Sequence, residues 1–229
     1  MCLARIRAGR GGVDLKETVV TLKDRTRDVL GQMGGREVAN VIHSMAKLQQ
    51  TVETVDLGLL DAMQKRAMAT AGEFKPQEIA NVLWALATMG ERADRGLLEA
   101  MQRRATATAG ECKPQNVANV LWALAKMGER ADRGLLDAMQ RRATATAGEF
   151  KPQDVANVLW ALATMVERAD RGLLEALQRQ ATATVGEFKP QHVANVLWAL
   201  ATMGERADRR LLEAMQRRAT ATADRKSVV

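Results

Sequence analysis

The sequence predicts an all-α fold, an α-solenoid (superhelix) of stacked two-helix repeats with about eleven helices. Three observations carry this. A unit of 38 residues recurs almost verbatim: VANVLWALA begins at Val117, Val155 and Val193, and as IANVLWALA at Ile79. The composition is that of helices, with no Tyr, three Phe, and only four Pro, all at one phase of the repeat. Within each unit apolar residues recur every three or four positions in two runs, the pattern of two amphipathic helices. Such a pair cannot bury both of its faces alone, so neighbours must stack.

The chain opens with a short tail, residues 1–13, which begins MCLARIRAGRGG with three Arg and no acid. This has the basic character of an organelle transit peptide but is shorter and poorer in Ser, and an ordinary basic terminus reads the same way. A leading half repeat follows at 14–35, in which Val19 and Leu22 align with Leu98 and Met101. The first full pair, 36–75, begins REVANVIHSMAKL and holds a three-residue insertion within QQTVETVD, between its helices. Four regular pairs occupy 76–113, 114–151, 152–189 and 190–223, and a tail covers 224–229.

One unit shows how each pair is punctuated. Pro76 suits the first helical turn, where its missing N–H costs nothing. Ile79, Val82, Leu83, Leu86 and Met89 form the first apolar stripe, and Gly90 ends that helix. Asp94 is placed to cap the second helix, whose stripe is Leu97, Leu98, Met101 and Ala105. Phe74, Phe150 and Phe188, with Cys112 in the remaining slot, are expected to plug the space between helices. Trp84, Trp122, Trp160 and Trp198 lie about 140° from the centre of the stripe. A ladder of rings at that place could stack bases. Large aromatics are usually buried, however, so the rings are expected mostly buried between repeats, with His43 replacing Trp in the first pair.

Several function classes are excluded. No apolar run approaches the roughly 20 residues that span a bilayer. There are no paired carboxylates, no metal-ligand cluster and no nucleophile motif, and His43 and His192 are the only histidines. No catalytic site, cofactor, metal or small-molecule substrate is therefore expected. Cys2 and Cys112 lie far apart, which fits a reducing compartment. The net charge is +7, yet residues 73–224 contribute only +2 of it. Any basic surface must come from arrangement rather than excess.

The informative positions are those that differ between copies. After each Pro-Gln comes Glu78, Asn116, Asp154 or His192, with Glu37 in the first pair. Asn81, Asn119, Asn157 and Asn195 follow three residues later without variation. On a helical projection Glu78, Asn81, Ala85 and Thr88 share the face opposite Ile79. A constant amide beside a variable donor or acceptor is what base-by-base reading needs, and helical-repeat RNA readers use two or three side chains per base. The slot is thus expected to project into a groove beside the Asn. Drift at an exposed helix start explains the same variation, and His192 fits that account least well. Lys75, Lys113, Lys151 and Lys189 precede each helix-opening Pro, where free N–H groups attract anions. Each is placed to hold one phosphate, or is simply a solvated turn residue.

The unit length and the core PQxVANVLWALAxM, as in PQNVANVLWALAKMG at 114–128, resemble the octotricopeptide repeats of organelle proteins, over roughly residues 14–223. The resemblance implies an α-solenoid that binds single-stranded RNA in a chloroplast or mitochondrion and acts in RNA stability, processing or translation. Two departures stand out. Many members carry a PPPEW-like stretch where this chain has ERADRGLL at 91–98. Some end in a RAP domain, and none is expected after Ala223. Two readings of function follow: a sequence-selective RNA binder using the variable slot, the Asn row and the Lys row, or a protein-interaction scaffold, such as an assembly factor or peripheral organelle-ribosome component.

Overall fold

The computed structural model describes residues 15–49 and 56–224. The tails and most of the insertion between the first two paired helices lie outside the described residues. Eleven α-helices and no strand occur among the described residues, so the expected all-helical repeat fold is borne out. They are α1 (Leu15–Val29), α2 (Gly35–Gln49), α3 (Leu57–Ala69), α4 (Pro76–Met89), α5 (Arg95–Ala107), α6 (Pro114–Met127), α7 (Arg133–Ala145), α8 (Pro152–Thr164), α9 (Arg171–Ala183), α10 (Pro190–Thr202) and α11 (Arg209–Asp224).

The chain divides into two compact units, Met1–Thr108 and Ala109–Val229. In the first, α2 packs on α4 and α3 on α5. In the second, α6, α8 and α10 stack in one layer, and α7, α9 and α11 in another. The layer of first helices is the tighter. Its contact faces are rich in fully buried alanines, such as Ala118, Ala123, Ala156 and Ala161, and small side chains let helix axes approach. The larger apolar groups point between the layers. Leu121, Leu124, Leu135, Met139, Leu159 and Leu162 are fully buried, and each such side chain stabilises by about 1.5–3 kcal/mol relative to exposure. Phe74, Phe150, Phe188 and Cys112 are buried too. Burial pushes the Cys112 thiol up to about 11, so it stays protonated.

The helix ends follow the punctuation of the sequence. Asp56, Asp94 and Asp132 accept the N–H of Leu59, Leu97 and Leu135 at 2.9, 3.1 and 2.8 Å. Gly90, Gly128 and Gly204 adopt left-handed φ values of 71°, 74° and 70°. Val166 stands where the other regular repeats have that Gly, and it is forced into the same region at φ 59°.

Two hydrogen bonds fix the register of each repeat. An Arg of the second helix donates Nε to the carbonyl two residues before the helix-opening Pro or its equivalent: Arg66 to Met33, Arg104 to Phe74 and Arg142 to Cys112, at 2.7, 2.8 and 2.7 Å. Gln180 does the same for Phe150 at 2.7 Å. The second bond joins successive repeats. Gln64, Gln140 and Gln178 accept through Oε1 the backbone N–H of Asp94, Asp170 and Asp208, at 2.8, 2.7 and 2.6 Å.

Candidate functional site

The variable slot is the third residue of each first helix, and the structure corrects its expected orientation. Its side chain does not project beside the constant Asn. It folds back onto the helix start and accepts the backbone N–H of the Lys before Pro. Glu78 accepts from Lys75 at 2.9 Å, Asn116 from Lys113 at 3.0 Å, Asp154 from Lys151 at 3.3 Å, and His192 from Lys189 through Nδ1 at 3.4 Å. Glu37 serves Gly34 likewise at 3.2 Å. Asn116 and Asp154 are buried, while Glu78 and His192 are half-buried. The common requirement is one acceptor atom, which satisfies an orphan donor at the helix start. Carboxylate, amide and neutral imidazole all supply it.

This also accounts for His192, which as a cation would be misplaced at a helix start. Burial, with the Lys189 ammonium, lowers its pKa from the ordinary 6.5 and favours the neutral ring that can accept. At Asp154 burial outweighs the Lys151 N–H and ammonium and raises the carboxyl pKa.

The face that does reach solvent lies beside the slot. Its positions are spaced i, i+4, i+7 and i+11, one stripe of a helix. In α6 they are Gln115, Asn119, Trp122 and Lys126; in α8, Gln153, Asn157, Trp160 and Thr164; in α10, Gln191, Asn195, Trp198 and Thr202. Within the first unit, α4 presents Gln77, Asn81, Trp84 and Thr88, and α2 presents Arg36, Asn40, His43 and Lys47. No acidic residue occupies any of these positions. The amides of Asn81, Asn119, Asn157 and Asn195 bond to nothing else among the described residues.

Three of the four tryptophans are mostly buried, as expected, and Trp198 departs from that expectation. Trp84, Trp122 and Trp160 are only partly exposed, and Trp198 is 47% exposed. Each ring sits at the edge of the apolar arc. Among the described residues α10 has a first-helix neighbour on one side only, which leaves Trp198 the most open. Trp84 shows what occupies such a ring. His43 of the preceding pair lies 5.1 Å from it, centroid to centroid, and the Lys47 ammonium stands 4.6 Å from its centroid.

Lys75, Lys113, Lys151 and Lys189 are exposed at the N-terminal ends of their helices, and none of them forms an ion pair among the described residues. In the second helices some charges pair within the helix, as Arg95–Glu99 at 3.2 Å, Arg133–Asp137 at 3.2 Å, Arg171–Glu175 at 3.0 Å and Arg209–Glu213 at 2.9 Å. Arg141, Arg179 and Arg217 of the second helices are likewise exposed and form no ion pair among the described residues, so cationic groups without a local partner occur on both helices of a pair. Among the described residues no group of His, Cys, Asp and Glu is arranged to hold a metal ion, and no helix is long and apolar enough to cross a membrane.

Two family models match the chain. That of the Tbc2 translation factor, N-terminal domain, covers residues 91–227. That of the RNA-editing substrate-binding complex 6 protein covers residues 10–132. No curated protein matches it. The matches mark the chain as an RNA-related helical-repeat protein.

Proposed function

The chain belongs to the family of the Tbc2 translation factor N-terminal domain, and from that premise we propose that it is a non-catalytic, single-stranded RNA-binding protein of organelle RNA metabolism. Its role is in stability, processing or translation, in a chloroplast or mitochondrion, and its repeat is of the octotricopeptide kind. The observation that carries this reading, made within each unit, is the acid-free stripe of the first helices with its unbonded Asn amides, together with the unpaired Lys at the helix starts. Phosphates are held by Lys75, Lys113, Lys151 and Lys189, and bases meet Asn81, Asn119, Asn157 and Asn195. Glu78, Asn116, Asp154 and His192 contribute through the helix start that they fix.

Salt dependence tests it. Lys113, Lys151 and Lys189 of the second unit should together give a log–log slope of about −2 on a randomised RNA pool, from roughly −0.7 per contact. Replacing Lys113 and Lys151 with Ala should flatten the slope by about 1.4 and weaken all sequences alike. The near-neutral charge of the regular repeats favours a protein-interaction scaffold instead. Absence of any RNA binding, or a slope untouched by these substitutions, would leave that reading ahead.

A further inference from the structure

We propose that the outward stripe of α6, α8 and α10 is a base-stacking surface, on which one nucleobase of a single-stranded RNA rests against each of Trp122, Trp160 and Trp198 and bonds to Asn119, Asn157 or Asn195. This deepens the RNA reading and rests on it. What it adds is the face of the base as the recognised group, and the tryptophans as the residues that take it.

Trp122 and Trp160 are packed along much of the ring and keep part of it open, and Trp198 is 47% exposed, which leaves apolar ring surface that a base can cover. The first pair holds His43 at this position, so the fold accommodates a smaller ring there. In the first unit the ring of Trp84 is served by the protein itself, through His43 and Lys47. Among the described residues no aromatic or cationic group does this for Trp122, Trp160 or Trp198. Each of these rings also has an Asn amide one turn before it that is without a partner. An amide both donates and accepts, so it suits the edge of any base that the ring holds.

Spacing and charge point the same way. Neighbouring first helices pack directly, so the rings recur at the usual interaxial distance of about 8–10 Å, one per repeat, as in helical-repeat RNA readers. The stripe lacks acids and carries Lys126. It is also mostly polar, with single rings between amides, whereas a protein-binding face would show a contiguous apolar patch.

The four Trp are the only fluorophores of their kind here, since the chain has no Tyr, so intrinsic emission reports this row directly. A randomised RNA 12-mer should quench the emission of the full chain and bind at least about five-fold tighter than an abasic 12-mer of equal charge. Trp160→Leu and Trp198→Leu keep an apolar side chain and should each weaken the RNA by about five-fold or more, with abasic affinity unchanged. Asn157→Ala should weaken RNA while leaving the melting curve in place. If Trp160→Leu fails to fold, Trp198→Leu carries the test, because that ring has least packing to lose. RNA binding that is salt-dependent but without quenching, and equal in the Trp variants, would overturn the stacking surface and leave the RNA reading intact. No binding of either oligomer would overturn the RNA reading itself.

Discussion

Replacing Val166 with Gly should stabilise the protein, although it removes a side chain and adds no contact. Val166 closes α8 at φ 59°, a region that costs an L-residue roughly 1–2 kcal/mol and is least suited to a β-branched side chain. The capping bonds are made regardless. Glu167 N–H reaches Leu162 O at 2.9 Å, the distance from Glu129 N–H to Leu124 O in the copy that has Gly128. The strain is therefore neither relieved nor offset locally. Val166 is 84% exposed, so little packing is lost with it. Gly gives back about 0.4–1 kcal/mol through the entropy of the unfolded chain. The net gain is about 1 kcal/mol, or roughly 2–4 °C in Tm for a protein of this size. The reverse change isolates the backbone term. No atom lies within 4 Å of where a Cβ would stand at Gly128, so Gly128→Val should destabilise by about 1 kcal/mol from dihedral strain alone. Urea unfolding of the two variants against the parent measures both signs. An unchanged or lowered midpoint for Val166→Gly, or a neutral Gly128→Val, would refute the argument.

Other predictions follow from the caps and joints. Since the His192 pKa is lowered from 6.5, the unfolded chain takes up the proton first. The stability His192 contributes should be complete above about pH 6.5 and lost as pH falls through the folded value, and urea midpoints of His192→Asn should lack that step. Asp154 has the opposite sign: with its pKa raised above 3.8, folding holds the proton longer, so stability should fall as pH rises through the window just above 3.8. Asp154→Asn keeps the acceptor that Asn116 supplies at the equivalent position, so the difference in midpoint between variant and parent should widen in its favour over that window. Gln140→Ala removes the acceptor for Asp170 N–H and should cost about 1 kcal/mol, with hydrogen exchange quickened first at the start of α9.

The fold was legible because the repeat makes every boundary visible several times. Pro76 and its copies open helices, Gly90 and its copies close them, and the apolar period does the rest. The joints were not legible. Gln140 and Arg142 look like solvated polar residues of an amphipathic helix, since their partners, Asp170 and Cys112, lie 30 residues away. The variable slot was misplaced for a different reason. A projection at 100° per residue sends Glu78 radially outward, but a residue in the first turn can curl back to an orphan N–H, and its identity then reports capping. The burial habit of aromatics places Trp84, Trp122 and Trp160 correctly as mostly buried. The greater exposure of Trp198 depends on α10 having a first-helix neighbour on one side only among the described residues.

The Gln-to-Asp bond has a bearing on how such a chain can change its length. Acceptor and donor sit in successive copies at a fixed offset of 30 residues, as in Gln140 with Asp170 and Gln178 with Asp208. Excising one whole copy by recombination between two identical stretches brings the Gln of one neighbour against the Asp of the next, and the bond re-forms unaltered. Duplication inserts a further Gln and a further Asp that meet the partners already there. Exchange in multiples of 38 residues thus keeps the offset of these joints at 30, whereas a deletion of any other length between a Gln and its Asp breaks the bond. Near-identity between copies means that the joint meets the same partners wherever such an exchange falls.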